Sequence, residues 1–133
     1  MSNVTTVRKL FKAMAEGRVD DAFELLSDDI QWRIAGDLPF CGPHVGKKAL
    51  KADLFAPINA LYVPGTTKIE IVDMLEDVAR SAVITRIRES SDLVGGGHTE
   101  VEIASFMFLA NGKVERVQEY VDLRPVVQVM KPS

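Results

Sequence analysis

The residues best suited to proton transfer lie late in the chain, in the run Lys113-Val114-Glu115-Arg116-Val117-Gln118-Glu119-Tyr120-Val121-Asp122. The run reads as a strand, so its side chains alternate between two faces. One face would carry Lys113, Glu115, Val117, Glu119 and Val121, and the other Val114, Arg116, Gln118, Tyr120 and Asp122. Neither is cleanly apolar. A strand with carboxylates on both faces is either a solvated edge or part of the lining of a polar pocket. In an apolar pocket a carboxyl is driven toward its neutral form and becomes a usable acid or base near neutral pH. Arg86 and Arg88 share a strand face with Ala82 and Ile84. If buried, two like charges need partners, which Glu119 or Glu102 could supply. Such a set would attract a carboxylate, phosphate or enolate. If exposed, the arginines simply lay their stems along the sheet.

Other reactive side chains are scattered. His44 and His98 lack the clustered carboxylates or cysteines of a metal site, so no metal is expected. Cys41 is the single cysteine, which rules out an intrachain disulfide and fits a reducing compartment. Gly95-Gly96-Gly97 is followed by a strand pattern, not by the helix that a phosphate loop requires. With a formal net charge of −3 and no dense Lys/Arg stripe, a nucleic-acid partner is not expected. The longest apolar runs fall short of a membrane span, and the first seventeen residues lack a signal-peptide core. These readings predict a cytoplasmic protein with no membrane partner.

The elements that must position these residues follow from periodicity. At 133 residues with 47% apolar content, the chain can build one compact domain, expected over residues 1–133. Val4, Val7, Leu10, Phe11 and Met14 recur at helical spacing, with Gly17 as the stop. Asp20 can cap a second short helix that turns Ala22, Phe23, Leu25 and Leu26 inward. Ser27-Asp28-Asp29 reads as a turn and Ile30–Ile34 as a strand. Residues 35–46 are rich in Gly and Pro and read as a loop. A third helix carries Ala49, Leu50, Leu54, Ile58 and Leu61, with a kink or break expected just before Pro57. Strands are expected at Thr66–Leu75, Val78–Glu89, Thr99–Leu109 and Lys113–Leu123, with turns at Glu76-Asp77, around Gly95–Gly97 and at Asn111-Gly112. Asn-Gly is the strongest short hairpin signal. The tail beyond Pro125 holds Val126, Val127, Val129 and Met130, which could pack on the sheet or on a partner. Helices on one face of a mainly antiparallel sheet make an α+β fold.

In this order the residues resemble the nuclear-transport-factor-2-like (NTF2-like), or SnoaL-like, superfamily, which includes ketosteroid isomerase. The resemblance rests on Glu16-Gly17-Arg18-Val19-Asp20-Asp21-Ala22, on Leu25 to Trp32, on Gly36 to Gly42, on Gly46 to Leu50, and on Asn111 to Val114 with Glu119 to Asp122. It covers nearly the whole chain and implies a cone: three N-terminal helices on a strongly curved, mainly antiparallel sheet, with a ligand cavity between them. The scaffold carries isomerases, cyclases, hydrolases, dehydratases and non-catalytic binding domains, so it does not name a reaction.

The isomerase groups do not carry over. The tyrosine position falls near Leu10 and the oxyanion acid near Ala104, while the base position falls at Ile34 or, counted from Gly46, at Asp37. Authentic ketosteroid isomerase activity is therefore not expected. The epoxide-hydrolase branch implies an acid at Glu119 and an arginine at Arg86, with Arg88 where that branch has its paired aspartate. The polyketide-cyclase branch implies an acid/base at Glu119 or Asp122. The resemblance thus makes Glu119 and Arg86 the catalytic candidates, with Glu119 pointing into the cone. Trp32, Asp37, Phe40, Glu102 and Asp122 are the candidate ligand-binding residues. Trp32 and Phe40 are pocket walls or core, Asp37 lies at the mouth or in a turn, and Asp122 acts chemically or holds a loop. The expected function is binding of a small apolar oxygenated molecule, with cofactor-free general acid/base catalysis. The alternative is a non-catalytic ligand-binding or dimerisation domain. The strand 99–109 is apolar on both faces, with Ala104, Phe106 and Phe108 on one of them, which predicts a homodimer through the outer face of the sheet.

Overall fold

In the computed structural model, which describes residues 1–122 together with 124 and 125, three helical segments pack on a six-stranded sheet. Helix α1 (Asn3–Ala15) starts at Ser2, whose Oγ accepts a hydrogen bond from the Thr5 backbone N–H at 3.2 Å. Val7, Leu10 and Phe11 are buried, as their spacing predicts. The helix ends at Gly17, whose φ of 72° lets the Arg18 N–H return to the Ala13 carbonyl at 2.9 Å. Helix α2 (Val19–Glu24) starts two residues earlier than an Asp20 cap would place it, with Arg18 in the cap position.

Helix α3 comprises Lys47–Leu50, a wide π-helical turn at Lys51–Phe55, and Ala56–Asn59. The wide turn falls just ahead of Pro57, which has no N–H to donate and whose ring crowds the carbonyl one turn back. It places Phe55 edge-on to both Phe23, at 5.5 Å between ring centroids, and Trp32, at 5.4 Å.

The strands are β1 (Leu26–Ile34), β2 (Gly42–Val45), β3 (Lys68–Asp77), β4 (Ala82–Asp92), β5 (His98–Ala110) and β6 (Lys113–Val121), in sheet order β2-β1-β6-β5-β4-β3. Only the β1–β6 pairing is parallel. The four-strand meander stands as expected, but three local expectations are corrected. Ser27-Asp28-Asp29 is no turn; it is an irregular stretch of β1, where the register with β6 jumps between Leu26 and Gln31. The Gly/Pro-rich loop contains β2. The β3–β4 turn lies at Val78–Ser81, where Ser81 takes a φ of 51° and Asp77 accepts from the Arg80 N–H. The Asn111-Gly112 turn is as expected: both residues have positive φ, 53° and 75°. Leu123 and the apolar tail 126–133, for which packing was anticipated, lie outside the described residues.

The inner face of the sheet meets the helices. Val83 and Ile87 of β4, Ile103 and Met107 of β5, and Val114 and Val117 of β6 join Leu10, Phe11, Trp32 and Leu54 in one core.

Candidate functional site

The orientation of β6 depends on an irregularity that simple alternation does not foresee. Leu109 pairs with Val114, but Phe108 pairs with Arg116, so one extra residue enters β6 at the Glu115-Arg116 step. Val114 and Val117 therefore both point inward and are buried, while Glu115 is exposed. The face that seemed mixed becomes Val114, Val117, Glu119 and Val121, an apolar stripe with one carboxyl.

That carboxyl is buried, with only 8% of Glu119 exposed. Its Oε1 accepts a hydrogen bond from the Trp32 indole N–H. Trp32 reaches it because β1 runs parallel beside β6, pairing Trp32 with Val117 and Ile34 with Glu119. Burial pushes the Glu119 carboxyl up to about 8; the indole N–H opposes the shift, and nearby Glu89 adds to it.

A cavity of about 430 Å³ lies between the helices and the inner face of the sheet. Phe11 and Met14 of α1, Leu54 and Phe55 of α3, and Ile87 and Ile103 of the sheet form much of its wall. Its size is within the ordinary range for small-molecule sites. Glu119 and Trp32 line it, as do Phe40 and Ser105. Ser105 stands opposite Glu119 across the β5–β6 ladder and shares a 2.7 Å hydrogen bond with Thr85.

The remaining sequence candidates lie elsewhere. Arg86, expected beside Glu119, is on the outer face of the sheet, exposed, and pairs with Asp73 at 2.7 Å. Its alternating neighbours on β4 decide this: Val83, Thr85 and Ile87 turn inward, so Arg86 turns out. Glu102 is also on the outer face and pairs with Arg88 at 3.2 Å. No ion pair joins either arginine to Glu119. Asp122 is exposed and bonded to Arg124, which holds its carboxyl below the ordinary range. Asp37 is exposed in the loop after β1 and does not line the cavity.

Two cavity groups escaped the sequence reading. Glu89 lies on the inward face of β4, two residues beyond Ile87, and burial pushes its carboxyl to about 7. The alternation Val83, Thr85, Ile87, Glu89 was a legible signal for it. Tyr62 follows α3 and lines the same cavity; burial, with a smaller contribution from the charge of Glu89, pushes its phenol to about 12. Nothing in the local sequence marked Tyr62, because only the isolated bridge to Leu93 brings it against the sheet. Among the described residues, no group of three His, Cys, Asp or Glu side chains could hold a metal, and no helix is long and apolar enough to cross a membrane.

The comparison with known proteins agrees with this architecture. The model of the SnoaL-like domain matches residues 7–117. The chain belongs to the SnoaL-like family. Its fold is shared with Bal32a from a soil-derived mobile gene cassette (25% identity, TM-score 0.83, covering 97% of this chain and 96% of that one). It is also shared with an NTF2-like protein of unknown function from Burkholderia pseudomallei K96243 (14% identity, TM-score 0.85, covering 99% and 100%). A third similar structure, from Jannaschia sp. CCS1, is provisionally described as a SnoaL-like polyketide cyclase (18% identity, TM-score 0.77, covering 98% and 93%). No curated protein matches the sequence.

Proposed function

We propose that this SnoaL-like chain binds a small apolar oxygenated molecule in the cavity and acts on it by cofactor-free general acid/base catalysis, of isomerase, cyclase or hydrolase type. Glu119 is the proton-transfer group, Trp32 orients it, and Phe40 is part of the wall. The observation that carries this reading is the state of Glu119: a buried carboxyl facing a 430 Å³ apolar cavity, with an indole N–H and no cation beside it. A carboxyl with a pKa of about 8 is a competent acid or base near neutral pH. The Jannaschia relative's description as a cyclase is compatible with such a group. Arg86 has no part in this proposal.

The second reading is a non-catalytic binding domain, in which the Trp32–Glu119 bond only satisfies a buried carboxyl. The two readings separate once a binding molecule is found by screening cyclic ketones, phenols and epoxides, and its conversion is followed by mass spectrometry. Glu119→Gln should lower turnover on the order of a hundredfold or more while the protein stays folded, since positioned proton transfer contributes ~10²–10⁴ in rate. Unchanged turnover would remove Glu119 from the mechanism, and binding without conversion would favour the second reading.

The proposal includes one domain over residues 1–133, a cytoplasmic location, and a homodimer through the outer face of the sheet. Phe106 and Tyr120 support the last point. They are 38% and 50% exposed and meet edge-to-face at 6.2 Å between centroids.

A further inference from the structure

The ionisable groups lining the cavity share one character. They are Glu16, Tyr62, Glu89 and Glu119; among the described residues, no lysine, arginine or histidine lines it. Glu16 follows α1 and bonds Arg18 at 3.1 Å, where both side chains are well exposed, so its charge is compensated and screened. Glu89 and Glu119 have no such partner: the described ion pairs of β4 and β6 are on the outer face or at the strand ends.

The two carboxyls are also set apart. Glu89 stands opposite Val101 on β5, and Glu119 stands opposite Ser105 on the other side of the same strand. They lie diagonally across the inner face, two strands over and four residues along. Apolar Val101 and Ile103 occupy β5 between those positions. Tyr62 shares the Glu89 region, and Trp32 and Ser105 share the Glu119 region. The cavity therefore has two polar poles separated by an apolar belt, and each pole has a hydroxyl or indole donor beside a carboxyl.

We infer that the cavity selects an uncharged molecule with an apolar ring body and an oxygen function at each end, and that Glu89 and Glu119 together exclude anions from it. The inference rests on the proposed small-molecule function and deepens it by stating the ligand's charge and shape. An anionic end group would face an acid at either pole with no cation to compensate it, in surroundings that screen charge poorly. An ammonium group would give up its hydration to apolar walls. A hydroxyl or carbonyl can accept from Tyr62 or from either carboxyl when it is protonated, and a hydroxyl can also donate to either carboxyl; the one indole N–H of Trp32 is already given to Glu119. This inference replaces the expectation, drawn from Arg86 and Arg88, of a carboxylate or phosphate ligand.

The probes are a naphthalene diol with a hydroxyl at each end, the hydroxynaphthoate that replaces one hydroxyl by a carboxylate, and the corresponding aminomethyl naphthol cation. Their binding is measured by calorimetry. At about pH 8.5, where Glu89 is ionised and Glu119 mostly so, the diol should bind wild-type protein severalfold more tightly than the hydroxynaphthoate. Lowering the pH to about 5.5 protonates both carboxyls while the probe stays ionised, and should shrink that ratio severalfold. Glu89→Gln with Glu119→Gln should lower the diol-to-hydroxynaphthoate ratio severalfold and remove its pH dependence, both affinities being read in the same folded variant; what is left is the cost of desolvating the carboxylate probe. Glu16→Gln should change neither. Equal binding of diol and hydroxynaphthoate to wild type would overturn the inference while leaving the small-molecule reading intact, and so would tighter binding of the cation. A ratio and a pH dependence that stay undiminished in the folded double variant would remove Glu89 and Glu119 as their cause. If none of the three binds, the small-molecule reading itself fails, and this inference with it.

Discussion

At Glu119 desolvation and hydrogen bonding pull in opposite directions, and desolvation wins. The indole N–H favours the charged form, yet the carboxyl still titrates at about 8 against an ordinary 4.5, because one neutral donor replaces only part of a lost hydration shell. Glu89, less enclosed, settles at about 7. Both folded values lie above the unfolded one, so the native state binds more protons than the unfolded state between about pH 4.5 and pH 8. This contribution to stability should therefore be fully present below about pH 4.5, decline above it, and be lost as the pH rises through 7 and 8, by an amount on the order of a few kcal/mol. Urea unfolding across this range measures it. Glu119→Gln, neutral throughout, should flatten much of the decline and leave the variant more stable than wild type at about pH 9; a wild-type profile that rises through neutral pH would contradict the burial of these acids. Of the two carboxyls, Glu119 was found from its place late in the last strand, through the resemblance. Glu89 is less legible because Arg86 and Arg88 stand beside it in the sequence, and alternation sends them to the opposite face.

Among the elements, β6 shows most clearly how one backbone irregularity assigns chemistry. Without the extra residue at Glu115-Arg116, strict alternation would turn Val114 outward while keeping Glu119 inward. With it, Val114, Val117, Glu119 and Val121 all face the helices. The turn that starts this strand was legible, because Asn-Gly is the pair that tolerates positive φ at both central positions. Gly112→Val places a β-branched side chain at a φ of 75° and should cost roughly 1–2 kcal/mol in chemical denaturation, the usual penalty of the left-handed region. No loss of stability would mean that the hairpin can change its turn without disturbing β6. The β3–β4 turn was misplaced because Val78-Ala79-Arg80-Ser81 has no Gly, Pro, Asn or Asp and only Ser81 among the usual turn residues; the Asp77 side chain helps to close it. Pro57 did mark its disturbance, since a missing N–H and a ring clash are local facts.

For the whole molecule, the two faces of the sheet divide the labour. The inner face holds the cavity. The outer face holds the ion pairs Arg86–Asp73 and Arg88–Glu102 beside an aromatic patch of Phe106, Phe108 and Tyr120, with Arg116 lying 4.1 Å over the Phe108 ring. If that patch joins two copies, sedimentation should show a dimer at micromolar concentration. Phe106→Glu should convert it to monomer with little loss of protomer stability, because Phe106 is not part of the core. A wild-type monomer would sink the dimer, and a dimer that survives Phe106→Glu would move its interface elsewhere.

By itself the sequence determined the class of fold. Helical spacing in residues 4–14, alternation in the last four strands and the Asn111-Gly112 turn are local properties, and they agree with one another across the chain. It also determined that a carboxyl would stand at position 119 in an otherwise apolar stretch. Tertiary structure alone decided what that carboxyl meets. Trp32 is 87 positions away and arrives through the parallel β1–β6 pairing, while Tyr62 and Glu89 arrive from a helix end and from β4. Burial is a property of the assembled layers, and so is the titration that follows from it. Which side of the sheet keeps Arg86, and which keeps Glu119, was settled by strand phase, and only the paired strands fix that phase.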